Sequence, residues 1–148
     1  MIWKPNVTVA AVIEQDGKFL LVEEHTSQGL LFNQPAGHLE AHESLLAAVV
    51  RETLEESAYD FQPQHLLGIY RWHAPASDTT YLRFAFTGKL LAHHAERPLD
   101  EGIVRAVWMT PDEIRATASR HRSPLILRCM EDYLAGKRYP LELITHYD

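Results

Sequence analysis

The sequence predicts a one-domain α/β or α+β fold in which a mixed sheet lies between layers of helices. Three observations favour it: apolar, β-branched runs bounded by turn residues, one long amphipathic segment in the middle, and helix-start signals near the C-terminus. A length of 148 residues suits one domain with a full hydrophobic core.

The first strands are expected at residues 7–13 and 18–23, joined by the hairpin signal Asp16-Gly17. Both runs are almost continuously apolar, so each strand should be covered on both faces. A short strand at residues 30–32 should lead into a bend at residues 33–37, which contain a Pro and a Gly.

A long helix is predicted from about His42 or Glu43 to Ser57. One of its faces is a stripe suited to packing on a sheet, formed by Leu46, Val49, Val50 and Thr53. The spacing of three and four residues places three carboxylates together on the opposite face, namely Glu52, Glu55 and Glu56.

After this helix we expect a connection at residues 59–64, which Pro63 keeps from being helical. Further strands are expected at residues 66–73, 81–91 and 103–109, with loops at 74–80 and 92–102. Two more helices should follow. One begins with a capping box at Thr110 to Glu113, and the other begins at Ser123-Pro124 and can end at Gly136. Residues 141–148 have no assigned structure.

Composition narrows the class of function. A net charge of −6 argues against broad binding of nucleic acid or anionic membranes, which need a basic surface. A phosphorylated small molecule is compatible with that charge, because bound cations and a few local basic residues can reverse the sign within a pocket. We therefore expect a small-molecule partner, no nucleic acid, no membrane, and a monomer.

Cysteine usage and the N-terminal residues indicate the cytoplasm. Cys129 is alone, which excludes an internal disulfide, and we expect it in the core of a late helix. The start of the sequence shows no apolar signal region, and no apolar run approaches the length needed to span a membrane.

The acidic face of the long helix breaks two local rules. Its carboxylates lie in the second half of the helix, where the helix dipole disfavours negative charge. Neighbouring like charges lower helix stability by a few tenths of a kcal/mol per pair. Such a local conflict suggests a site, and a hard divalent cation, above all Mg²⁺, would relieve it. The bland alternative is a solvated acidic surface helix.

This stretch resembles the box of the Nudix hydrolases, which runs Gly, five residues, Glu, seven residues, then Arg-Glu-U-x-Glu-Glu-x-Gly-U, with U a bulky aliphatic residue. The positions that match are Gly37, Glu43, Arg51, Glu52, Glu55 and Glu56. The resemblance extends to the element order of the whole chain, and it implies an α/β/α sandwich with a mixed central sheet.

Three box positions depart from the family pattern. Thr53 and Tyr59 replace aliphatic residues, which concerns packing. Ala58 replaces a Gly that would let the helix end in a left-handed residue. Ala in that conformation costs roughly 1–2 kcal/mol, so the turn should either differ from the family's or be strained.

The resemblance implies a metal site and a set of catalytic residues. Glu52 and Glu56 would be the principal ligands of Mg²⁺ (or Mn²⁺), with Glu55 and the backbone carbonyl of Ala36 beside them. Arg51 belongs to the catalytic set, although pairing with Glu43 is a more natural role for it than substrate contact. The general base would be a box carboxylate or an acid of the 92–102 loop, where Glu101 is the candidate and Asp100 is its neighbour.

Substrate-binding candidates lie on the predicted strands. Phe32, Trp72 and Tyr81 could stack on a base, and Arg71 or Arg83 could hold a phosphate. Gln34, directly before the bend, could contact substrate or backbone. Aromatic residues on strands are also ordinary core residues, and the adjacent pair His93-His94 is more typical of an exposed loop than of a metal site.

Phrases spread along the chain are similar to a bacterial phosphatase subgroup of the family: VTVA at Val7, NQPAGHLE at Asn33, LRF at Leu82, RSPL at Arg122 and RYPLE at Arg138. That similarity implies hydrolysis of nucleoside tri- and diphosphates with release of phosphate, and action on hydroxymethylpyrimidine pyrophosphate. The alternatives are another diphosphate substrate (a dinucleotide, an ADP-sugar or the 5′ end of RNA), and a non-catalytic nucleotide-binding module.

Overall fold

The computed structural model describes residues 2–148, in which strands, one long helix, further strands and then shorter helices follow one another as predicted. The strands are β1 (Asn6–Val12), β2 (Glu14–Gln15), β3 (Lys18–Thr26), β4 (Gly29–Asn33), β5 (Ala36–His38), β6 (Tyr59–Ala74), β7 (Thr79–His93) and β8 (Ile103–Met109). The helices are α1 (Leu45–Ser57), α2 (Pro111–Ala116) and α3 (Leu125–Leu134), with short 3-10 turns at Ala118–Arg120 and Leu141–Leu143.

The strands form two sheets. The first has the order β5-β1-β7-β6, in which β1 and β7 are parallel and the other neighbours are antiparallel, so the mixed sheet is confirmed. The second is antiparallel: β3 pairs with β8 on one side, and with β4 and the short β2 on the other.

Alternate residues of β1 face two different cores. Val9 and Ala11 pack with Val49 of α1, whereas Val12 packs with Ile126 of α3. All four β1 residues from Val9 to Val12 are fully buried, which confirms that this strand is covered on both faces. The β-sheet strands thus lie between α1 and α3, as an α/β/α sandwich requires.

Helix α1 begins slightly later than the sequence suggested. Ser44 is the N-cap, and its hydroxyl accepts a hydrogen bond from the Ala47 amide at 3.0 Å. His42 has a positive φ of 65°, so it cannot belong to the helix. Of the predicted packing stripe, Val49 and Thr53 are fully buried, but Val50 was wrongly included because 36% of it is exposed.

The predicted connection at residues 59–64 was wrong, because β6 begins at Tyr59. Its pairing with β7 shifts register around Pro63, and this irregularity accommodates a residue without an amide hydrogen. The bend at 33–37 also contains strand β5, which pairs with β1. In both places strand pairing with a distant segment overrode the local turn residues.

Of the two alternatives for the turn at Ala58, the structure shows the strained one. Ala58 caps α1 in the left-handed conformation (φ 63°, ψ 19°) and is buried. Its amide bonds to the Leu54 carbonyl at 2.9 Å, and its own carbonyl accepts from the His94 amide at 2.8 Å. The backbone on both sides therefore fixes this turn.

The later helices match their start signals. The Thr110 capping box is formed reciprocally with Glu113. Cys129 is buried in α3, as expected. No helix within residues 2–148 is both long and apolar enough to cross a bilayer.

Candidate active site

Arg51 ties α1 to the segment that precedes it. Its Nε and Nη2 donate to the two carboxylate oxygens of Glu43 at 2.6 and 2.9 Å, and Nη2 also reaches the His38 carbonyl at 3.1 Å. This two-pronged contact confirms the expected Arg51–Glu43 pair. It also holds the pKa of Glu43 below its ordinary value.

The guanidinium of Arg51 also bonds to carboxylates on the acidic face of the helix. Arg51 Nη1 donates to Glu52 and to Glu55 at 2.8 Å each. The pKa of Arg51 is raised, first by its bond to Glu43 and then by these carboxylates. Glu40 also lies 3.2 Å from Arg51 Nε, so one positive charge is shared among four glutamates and the face keeps a net negative charge.

Glu52 lies directly against the backbone of strand β5. A β-carbon added at Gly37 would overlap the Glu52 carboxylate, so this position has room only for glycine. Glu52 is 9% exposed, and burial raises its pKa even though Arg51 opposes that shift. The box glycine is thus explained by the approach of a carboxylate to the main chain.

Glu56 lies one helical turn further on and reaches the same strand. Its Oε1 accepts a hydrogen bond from the Ala36 amide at 3.0 Å. Burial raises the pKa of Glu56 to about 8, and the negative charges of Glu52, Glu24 and Asp100 add to that shift. We call Glu24, Glu52, Glu56 and Asp100 the acid cluster.

The acid cluster has the donor chemistry of a site for a hard divalent cation. Its carboxylates repel one another, Glu56 has only an amide as a hydrogen-bond donor nearby, and oxygen ligands of this kind suit Mg²⁺ and Mn²⁺. Within residues 2–148, no three acidic, histidine or cysteine side chains already form a complete ligand set. Arg51 holds Glu52 and Glu55, so these would have to be released or shared.

A cleft of about 1360 Å³ opens beside the acid cluster. Glu24, Glu52 and Glu56 line it, together with Ala36 and Gly37 of β5. Other lining residues come from the loop between β6 and β7 and from the segment between α2 and α3. The cleft is large enough for a nucleotide-sized molecule.

Arg83 brings a buried positive charge to this cleft. It is 6% exposed and bonds to Gln34 Oε1 at 2.9 Å and Asn33 Oδ1 at 3.1 Å. These partners are neutral amides, so the guanidinium charge is not compensated by a carboxylate among them. A buried cation of this kind is suited to an anionic ligand.

Trp72 and Tyr81 form an aromatic wall of the cleft. They are directly opposite each other on β6 and β7, and their rings stack at a centroid distance of 5.8 Å and an interplanar angle of 18°. Both line the cleft. A flat, half-buried pair is suited to contact with a planar ring, so their predicted role stays open.

Several of the predicted site residues do not line the cleft. Phe32 is a core residue, 4% exposed and covered by the Arg120 guanidinium, so predicting it to stack on substrate was wrong. Arg71 is exposed on the opposite face of β6 from Trp72. Gln34 is buried and bonds to Arg83 and the Ile126 carbonyl, which matches the backbone alternative. Glu55 lies outside the cleft lining, bonded to Arg51.

Glu101 stays a prediction as the general base of the 92–102 loop. It is exposed and does not line the cleft, and the same is true of Asp100. Its neighbour Asp100 is the acid whose charge acts on Glu52 and Glu56, and its amide bonds to the Glu55 carbonyl at 2.9 Å. The alternation of side chains in an extended segment could have suggested that only one of the two faces the helix.

Sequence reasoning missed Glu24 and Arg122, both of which line the cleft. Glu24 follows the apolar part of β3, and its position beside β4 depends on pairing between strands that no local pattern reveals. The pair His93-His94 forms no metal site: His93 stacks on Tyr59, and His94 bonds to Asp60 at 2.8 Å.

Comparison with known proteins agrees with this geometry. The family model of the NUDIX domain matches residues 3–129, and the chain belongs to the Nudix hydrolase family. Nudix hydrolases are enzymes that act on phosphoric anhydrides, and they generally need divalent cations. The family assignment made from the box is therefore confirmed.

Particular relatives are more informative. Phosphatase NudJ of Escherichia coli strain K12 is 44% identical over 146 residues, which cover 99% of this chain and 94% of that protein. A solved NUDIX hydrolase from Nitrosomonas europaea is 55% identical, with a TM-score of 0.95 and coverage of 97% and 98% of the two chains. A MutT NUDIX hydrolase from Burkholderia pseudomallei, at 18% identity and a TM-score of 0.75, covers 88% and 98% and shares the fold. The chain is thus a Nudix hydrolase that is similar to Phosphatase NudJ over nearly its full length.

Proposed function

We propose that this enzyme hydrolyses the phosphoric anhydride bonds of nucleoside tri- and diphosphates and releases phosphate, with Mg²⁺ as its cation and Mn²⁺ as a substitute. The observation that carries the proposal is that three carboxylates of the acid cluster, the buried Arg83 and the Trp72–Tyr81 pair all line one cleft; the three carboxylates are Glu24, Glu52 and Glu56. The carboxylates would hold a cation that binds the phosphates, Arg83 would bind a phosphate oxygen, and the aromatic pair would contact the base.

The cation would be held by Glu52 and Glu56, with the Ala36 carbonyl, and Glu55 once it is released from Arg51. When bound, such a cation neutralises phosphate charge and acidifies a water molecule. Glu24 and Asp100 add negative charge at the same place, which supports cation binding there.

Side chains of the protein accept the proton, orient Glu52 and bind the substrate. A carboxylate of the acid cluster accepts the proton of the attacking water, and Asp100 joins Glu101 as a loop candidate for that role. Arg51 keeps Glu52 oriented and acts on catalysis through that orientation. Arg83, held in place by Gln34 and Asn33, binds a phosphate oxygen, while Trp72 and Tyr81 contact the base.

A substrate panel with Mg²⁺, resolved by product, tests this function. Release of phosphate from both ATP and ADP, and from hydroxymethylpyrimidine pyrophosphate, is the expected result. Pyrophosphate plus a monophosphate would indicate a different nucleotide pyrophosphohydrolase, and turnover only of dinucleotides or ADP-sugars would indicate another substrate class. No turnover of any of these would favour a nucleotide-binding module.

The partner of this site is a small phosphorylated molecule, and the enzyme acts as a cytoplasmic monomer without nucleic acid or membrane. The net charge of −6 supports this part of the proposal. Light scattering coupled to gel filtration would test the monomer, and a filter-binding assay with RNA would test the exclusion of nucleic acid.

A further inference from the structure

The segment between α2 and α3 supplies the cleft with an arginine that has no role in the site described so far. Arg122 lines the cleft together with His121 and Ser123. Its backbone amide donates to the Phe32 carbonyl at 2.8 Å, which fixes the segment against the end of β4. The position of Arg122 is therefore set by the fold, while its side chain is 48% exposed to the cleft and solvent.

The guanidinium of Arg122 contacts a member of the acid cluster. Its Nη1 lies 2.7 Å from Glu24 Oε1, and Glu24 is largely buried, with 14% of its side chain exposed. Arginine carries five N–H donors in a rigid fork, so a contact through Nη1 leaves donors for a phosphate. A half-exposed cation beside a buried carboxylate can exchange that partner for an incoming anion.

Two other arginines pair with strand β3 but do not line the cleft. Arg105 and Arg120 both pair with Glu23, the residue before Glu24, and neither lines the cleft. The pairing of β3 with β8 is irregular between Glu23 and Glu24, and of these two carboxylates Glu24 lines the cleft whereas Glu23 does not. Of these three arginines, Arg122 is the one that pairs with Glu24, which lines the cleft.

We propose that Arg122 is a phosphate-binding residue of the substrate site, and that its guanidinium exchanges the Glu24 carboxylate for a phosphate of the anhydride chain. This inference rests on the proposed function. The exchange leaves Glu24 free to add its charge to the cation site while Arg122 neutralises the substrate. It assigns to Arg122 a second phosphate contact beside that of the buried Arg83.

The test is equilibrium binding of a non-hydrolysable imido analogue of a nucleoside triphosphate with Mg²⁺, measured by titration calorimetry, alongside steady-state kinetics. Arg122→Gln should weaken binding about 10- to 100-fold, the range expected for a charged hydrogen bond. KM should rise with little change in kcat, and Arg122→Lys should recover part of the affinity. The matched control is Arg105→Gln, which removes an equivalent ion pair with Glu23 outside the cleft.

The outcomes separate this inference from the function on which it rests. Wild-type-like binding by Arg122→Gln, in an enzyme that binds the analogue and turns over nucleotides, would overturn the inference alone. Equal weakening by Arg105→Gln and Arg122→Gln would also overturn it, because the effect would then be structural. Failure of the wild-type protein to bind or hydrolyse any nucleotide would instead overturn the proposed function.

Discussion

The Glu52 carboxylate occupies the space that a side chain on residue 37 would need, since a β-carbon at Gly37 would overlap it. The box glycine and the box glutamate are therefore one structural unit, formed where α1 crosses strand β5.

Gly37→Ala should displace Glu52 and lower kcat by at least 100-fold, because a shift of about 1 Å at a catalytic group can have that effect. Steady-state kinetics measures it, with circular dichroism to confirm the fold. In a Glu52→Ala background, where the space is vacant, adding Gly37→Ala should change turnover little further. Additive losses in the double variant would show that the two residues act separately.

The Arg51–Glu43 pair should contribute measurably to stability. Glu43→Gln is expected to reduce the free energy of unfolding by about 1–3 kcal/mol, since it weakens a two-pronged charged contact that is mostly shielded from water. Urea denaturation would measure the change. The exposed Arg115–Glu131 pair provides the control, and Glu131→Gln should change stability by less than about 1 kcal/mol. Equal losses of stability in both variants would show that the Arg51–Glu43 pair contributes no more than an exposed ion pair.

Glu56 should give the cation-free protein a distinctive pH dependence. Its folded pKa of about 8 lies above the value near 4.5 of an unfolded glutamate, so the folded state binds more protons between these values. The free energy of unfolding should therefore fall as the pH rises from about 4.5 to 8, the window between these two pKa values. Thermal melts in EDTA would show the slope, and Glu56→Gln should flatten it. An identical slope in that variant would refute the assignment.

The strained turn at Ala58 should be relieved by the residue that the family pattern has there. Ala58→Gly is expected to raise stability by up to about 1 kcal/mol, because glycine adopts the left-handed conformation without a penalty. Ala135, the right-handed cap of α3, is the control, and Ala135→Gly should lower stability. Calorimetric melting of both variants would compare them, and destabilisation by Ala58→Gly would argue against strain.

Local sequence patterns were sufficient for elements whose signals are local. The end of α1 at Ser57, the Thr110 capping box and the Arg51–Glu43 pair each depend on residues a few positions apart, and each is present. The strand at Tyr59 depends on pairing with His93, which turn residues and Pro63 conceal.

The same distinction explains the site. The box fixed Glu52 and Glu56, because their spacing on one helix determines their common direction. Glu24 and Arg122 reach the cleft from a strand and a loop that meet only in the folded chain, and the charge of Asp100 acts on Glu56 from another loop. Phe32 was misassigned because an aromatic residue on a strand has the same local pattern in a core as in a binding wall.

Direct measurement of Mn²⁺ binding, by electron paramagnetic resonance on the wild-type protein and the Glu52→Gln/Glu56→Gln variant, is the sharpest test of the acid cluster. The wild-type protein should bind Mn²⁺, with competition by Mg²⁺, and the double variant should lose that site while it remains folded by circular dichroism. Equal binding by both folded proteins would contradict the assignment of these carboxylates as cation ligands.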